Sequence, residues 1–93
     1  MKNPAKLPSL KVIIRDRRRI IFEGDVKSLS SVNSTGDFDV LSTHANFVAL
    51  IKDKVVINKG LAGQEIFEIK SGLINVDGGD VSVYVGVGEA SES

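Results

Sequence analysis

With 93 residues, no cysteine and a formal net charge of zero, the chain has room for one modest core. Disulfide stapling, thiol catalysis and thiolate metal sites are excluded. The early apolar run at residues 10–14 is broken by Lys11 and is far too short for a membrane span or a signal core, so a soluble, cytosolic protein is expected.

Helix signals are weak, and short β-branched runs recur between glycine-bearing turns, the pattern of an all-β sandwich or barrel. Residues 1–9 read as a tail. Residues 11–15 predict a strand, a tight turn follows around Asp16 and Arg17, and residues 19–22 return antiparallel. Glu23, Gly24 and Asp25 are expected to break that strand. Residues 26–32 alternate without a strongly apolar face, which predicts a partly exposed strand. Asn33, Ser34, Thr35 and Gly36 form a turn cluster with Gly36 suited to positive φ. Phe38 and Val40 are expected to point inward, with Leu41 a further candidate.

Residues 42–46 read as a connection, with Ser42 or Thr43 available to cap a single helical turn. Residues 47–52 fit helix and strand patterns, and their length favours strand. Asp53 and Lys54 are expected to turn into a strand over 55–58, and 59–64 is a glycine-bearing loop. Residues 65–69 alternate, with Ile66 off the face shared by Phe67 and Ile69. Ser71 and Gly72 lead to a strand over 73–76. Asp77, Gly78, Gly79 and Asp80 carry the strongest hairpin signal, feeding residues 81–85 with Val81, Val83 and Val85 on one face. The tail after Gly86 is small and acidic. This reading gives about ten short strands in two stacked antiparallel sheets, with the domain spanning 10–87 and a second tail at 88–93.

Little in this inventory points to chemistry. His44 is the single histidine, whereas a triad needs a nucleophile and an acid, and zinc needs three or four ligands. Asp37 and Asp39 share a strand face but lack an oxygen-rich calcium loop, so no metal and no cofactor are expected. The glycines at 86 and 88 have no following lysine or helix to cradle phosphate. The charge is unevenly laid: residues 1–19 hold seven Lys/Arg against one Asp, and the rest hold five against eleven acids. Its densest part, Arg15-Asp16-Arg17-Arg18-Arg19, lacks stacking aromatics beside it. It reads as a solvated hairpin tip that discourages edge pairing, and no nucleic-acid partner is expected.

One resemblance organises these features. Phe22, Gly24, Val26 and Ser28, then Gly36, Phe38, Val40, Leu41, His44 and Ala45, stand without a gap. Their spacing resembles the N-terminal sandwich of the epsilon subunit of F-type rotary ATP synthases. That family carries Phe-x-Gly, an acidic or small residue and Val, then Gly-Glu-Phe-Gly-Val-Leu-Pro-Gly-His-Ala-Pro. Ser71-Gly72-Leu73-Ile74-Asn75-Val76 and Val81-Ser82-Val83 are similar to its Gly-Gly-Phe-Leu-Glu-Val and Val-Thr-Val. The likeness covers residues 10–85.

Ser42 and Thr43 replace the family's Pro-Gly, and Asn46 replaces the following proline, which frees the backbone there. The segment from His44 to Leu50 is closer to the alternate branch proposed to move sodium. The family's C-terminal helical hairpin, which regulates hydrolysis and binds ATP in some members, is not expected here. The resemblance implies a non-catalytic central-stalk subunit that couples the gamma shaft to the c ring. It would be peripheral on the cytoplasmic face of the inner membrane without entering the bilayer. It also implies a rotor-facing interface at Ser34, Thr35, Gly36 and Asp37 with the nearby Ser42, Thr43 and His44. The alternative is a stand-alone β-sandwich adaptor derived from the same family.

Overall fold

The computed structural model describes residues 9–41 and 44–86. In chain order its strands are β1 (Leu10–Arg15), β2 (Ile20–Val26), β3 (Leu29–Asn33), β4 (Gly36–Val40), β5 (Asn46–Ile57), β6 (Glu65–Asp77) and β7 (Asp80–Val85). No helix forms among the described residues. The seven strands share one hydrogen-bonded sheet in the order β2-β1-β7-β6-β5-β3-β4. Every neighbouring pair is antiparallel except β1 and β7, which run parallel.

Two long strands turn this one sheet into two layers. Residues 46–52 of β5 pair with 71–77 of β6, residues 53–57 pair with 65–69, and the register slips between Lys52 and Asp53. Asp53 takes a φ of 73°, and such a bulge bends the strand that carries it. On one side of the slip, β7 pairs with β6 only from Gly72 onward. On the other, β3 pairs with β5 only from Lys52 onward. Layer 1 is therefore β2, β1 and β7 with residues 71–77 and 46–52. Layer 2 is residues 65–69 and 53–57 with β3 and β4.

A single apolar cluster lies between the layers. Leu10, Val12, Ile14, Ile74, Val76, Val81 and Val83 come from layer 1, and Leu29, Val40, Val55 and Ile57 from layer 2. The two flanks are closed by aromatic pairs. Phe22 meets Phe67 edge-on at 5.8 Å between ring centres, and Phe38 meets Phe47 at 6.2 Å, both within the favoured range for such pairs. Ser31 also faces this interior, and its hydroxyl donates to the Lys54 carbonyl at 2.6 Å. The bulge thus leaves an acceptor that a buried serine satisfies.

The sandwich architecture agrees with the sequence reading, but strand number and connectivity differ. Seven strands replace about ten, and one mixed sheet replaces two separate antiparallel ones. The expected turn at Asp53 and Lys54 is the bulge inside β5. Ser71 and Gly72 do not interrupt β6 either. A Cβ on Gly72 would sit 2.8 Å from the Tyr84 carbonyl oxygen, so that glycine marks close backbone approach. Gly24 likewise lies within β2, its missing side chain covered by the Phe22 ring. The chain breaks later, at Lys27, whose amide donates to the Asn58 side chain at 2.7 Å.

Two burial expectations also change. β3 is almost wholly buried because β4 and β5 flank it, and Ser30 and Ser31 are both hydrogen-bonded. Leu41 is 64% exposed, since Val40 takes the inward position at the end of β4. The hairpin at 77–80 forms as expected, with Gly78 at φ 62°. The tails at 1–8 and 87–93, and Ser42 and Thr43 with their proposed cap, lie outside the described residues.

Candidate docking surface

The two expected interface segments sit at different places beside β5. The β3–β4 turn is built by Asn33, whose side-chain oxygen accepts from the Thr35 amide at 2.9 Å and the Thr35 hydroxyl at 2.8 Å. That local lock holds Ser34 and Thr35 outward, and Gly36 supplies the φ of 124° that closes the turn. Asp37 follows on the outer face of β4 and is exposed. Asn33, Ser34 and Thr35 line an open groove of about 500 Å³ with Ala49, Leu50, Ile51 and Lys52.

His44 lies nearer the start of β5 and is exposed. Next to it, the Ala45 carbonyl accepts from the Gly78 amide at 2.9 Å, and the Asn46 side chain accepts from the same amide at 3.0 Å. Asn46 therefore pins to the β6–β7 turn a segment that has lost its prolines. Three to six residues along β5, roughly 10–20 Å, separate this corner from the groove. The Phe38–Phe47 contact ties β4 to the start of β5 between them. Among the described residues no group of three or more His, Asp or Glu could hold a metal ion. Among these residues there is no helix long and apolar enough to cross a membrane.

The outer face of layer 1 shows what the sequence reading missed. Its strand register places Leu50, Leu73, Tyr84 and Arg15 side by side, ending at Ile20. Leu50 is 68% exposed, Tyr84 is 40% exposed, and Val48 in the next row is 62% exposed. A contiguous apolar strip on a water-facing sheet marks an interaction site. The sequence signal was present: residues 47–51 are apolar on both alternating faces, although only one can face the core.

At one end of this face lies the row Asp25, Lys11, Asp80 and Asp77. At the other lies the β1–β2 tip, where the Asp16 carboxylate accepts from the Arg18 amide at 2.7 Å and the Arg19 amide at 2.9 Å. Those two backbone bonds, with a smaller contribution from the Arg19 and Arg18 charges, hold the Asp16 carboxyl below its ordinary value.

A sequence profile described as "ATP synthase, Delta/Epsilon chain, beta-sandwich domain" matches residues 9–90. The chain belongs to that family. It is 37% identical over 59 residues to an ATP synthase epsilon chain of Sulfurovum sp., covering 62% of this chain and 46% of the relative. A Nitratiruptor epsilon chain is 32% identical over 80 residues, covering 85% of this chain and 62% of the relative. A Caulobacter vibrioides epsilon chain is 33% identical over 58 residues, with 62% and 67% covered. The match thus spans about half the length of the Sulfurovum relative and about two thirds or slightly less of the other two. Among solved structures, a chain of the Euglena gracilis mitochondrial ATP synthase (OSCP/F1/c-ring) superposes with a TM-score of 0.74 at 15% identity. That match covers 84% of this chain and 51% of the other. A chain of the Tetrahymena thermophila mitochondrial ATP synthase central stalk/c-ring gives 0.66 at 10% identity, with 90% and 75% covered. At such identities these neighbours support the delta/epsilon sandwich fold alone.

Proposed function

We propose that this delta/epsilon sandwich is a non-catalytic central-stalk component of a rotary ATP synthase, held between the gamma shaft and the c ring. The observation that carries the reading is the apolar row on the outer face of layer 1, where exposed Leu50 and Tyr84 flank half-buried Leu73. The shaft covers this row. The rim formed by Ser34, Thr35, Gly36 and Asp37, with Ser42, Thr43 and His44 as its second segment, meets the ring. The protein stays peripheral to the membrane through these contacts.

Such a part performs no bond chemistry and must transmit torque without deforming. A sandwich laced by two long strands through both layers suits that task better than an isolated helix. The test is co-elution of the purified chain with the gamma subunit of the same organism. Wild type is expected to form a complex and Leu50→Asp to elute alone with its fold intact. Failure of wild type to bind gamma refutes the reading. For the ring-facing rim, Asp37→Lys is expected to weaken attachment to the ring and coupling, and unchanged coupling removes Asp37 from the site.

A further inference from the structure

We infer that the outer face of layer 1 accepts its shaft partner in one orientation only, because opposite charges bracket the apolar row. The inference rests on the reading above and adds to it what the partner must present. At one end, Asp25, Asp80 and Asp77 share a row with a single cation, Lys11, and Glu23 stands in the next row. Asp77 and Asp80 are direct cross-strand partners, a like-charge pairing that costs stability in a free sheet. Beside them Lys11, Ile13, Glu23, Asp25, Asp80 and Ser82 line a hollow of about 330 Å³, large enough to admit a partner's lysine or arginine side chain.

At the other end Arg15 stands within the apolar row between Tyr84 and Ile20, and Arg17, Arg18 and Arg19 project from the tip, all three exposed. Asp16 is the only acid in the tip, and it is engaged with the turn amides. The two ends are separated by the length of β1 and the turn, roughly 15–20 Å. That exceeds the Debye length of about 8 Å at physiological salt, so neither end neutralises the other.

The partner surface is therefore an apolar patch flanked, along the direction of β1, by a basic group on one side and carboxylates on the other. On a helix those groups stand roughly 10–13 residues apart. Reversed docking would set like charges against each other at both ends, so the charges select orientation and speed encounter. The apolar row holds the complex once it has formed.

The experiment measures association and dissociation of the purified chain with gamma from low to physiological salt. The variants are Arg17→Glu/Arg18→Glu/Arg19→Glu, Asp77→Lys/Asp80→Lys and Leu50→Asp, each checked for an unchanged thermal melt. Replacement of the same arginines by glutamine and of the aspartates by asparagine provides variants free of new repulsion. Each reversal is expected to slow association about tenfold or more at low salt, with a flatter or inverted salt response and little change in dissociation. The neutral variants are expected to show a smaller loss in the same direction. If Leu50→Asp abolishes binding while both reversals keep the wild-type rate and salt slope, the orientation inference fails and the docking face stands. If Leu50→Asp binds as wild type, both fail. Arginine-dependent flotation on anionic phospholipid vesicles, with gamma association unaffected by the arginine variants, would assign the tip to lipid and overturn the inference.

Discussion

The outer faces of the two layers come from one sheet yet are finished differently. On layer 2, Val56 is only 4% exposed although it points away from the interlayer core, and Lys54 lies opposite Glu68 on the neighbouring strand. The Ser30 hydroxyl donates to the Asp39 carboxylate at 2.5 Å. Layer 2 exposes the large hydrophobics Ile66 in β6 and Leu41 just past β4, which stand apart with β5 and β3 between them, and scattered exposed apolar side chains are ordinary. Layer 1 instead leaves Val48, Leu50 and Tyr84 in water. A face whose outward valine is covered and whose buried serine is hydrogen-bonded carries no apolar strip in the free chain. A contiguous apolar strip is complete only when something lies on it.

The sharpest way to break this contrast is to place the same charge on both faces. Val56→Asp puts a carboxylate into a buried position without a partner, and is expected to cost about 3 kcal/mol or more. Leu50→Asp, on an exposed site, is expected to stay within about 0.5 kcal/mol of wild type. Urea denaturation of both variants decides it, and equal losses would mean that the two faces do not differ as described. Next in size, Ser30→Ala removes a hydrogen bond to a carboxylate that can return to water. About 1 kcal/mol should be lost, and an unchanged denaturation midpoint would show that this bond does not help to finish layer 2.

The smallest effect concerns the arginine tip at the end of layer 1. Two backbone amides favour ionised Asp16, so its folded pKa lies below the unfolded value. The stabilising contribution is therefore full above about pH 4 and disappears as pH falls through the lowered pKa. A titration of the Asp16 carboxyl carbon followed by NMR should show a midpoint below that of an ordinary aspartate. A midpoint at or above it would mean that the tip is not held by its own carboxylate.

Local chemistry was legible where it is self-contained. The turns at 33–36 and 77–80, the strands at 11–15 and 81–85 and the off-face position of Ile66 all follow from turn residues and alternation. What stayed hidden depends on residues distant in sequence. Asp53 looks like a turn residue, yet β3 and β6 hold it inside a 12-residue strand as a bulge. Gly24 and Gly72 look like breakers, but one is covered by Phe22 and the other sits against the Tyr84 backbone. The proposed ring-facing residues came from family spacing. The apolar row proposed for docking needed the register, because Leu50, Leu73 and Tyr84 are more than ten residues apart in sequence and become neighbours only across three strands.

Oxidative footprinting of the chain alone and bound to gamma tests the central claim most directly. Tyr84 and the side chains at 48 and 50 should lose reactivity in the complex, while Ile66 on layer 2 stays as reactive as in the free chain. Protection of Ile66 with Tyr84 left unchanged would place the partner on the other layer and contradict the account.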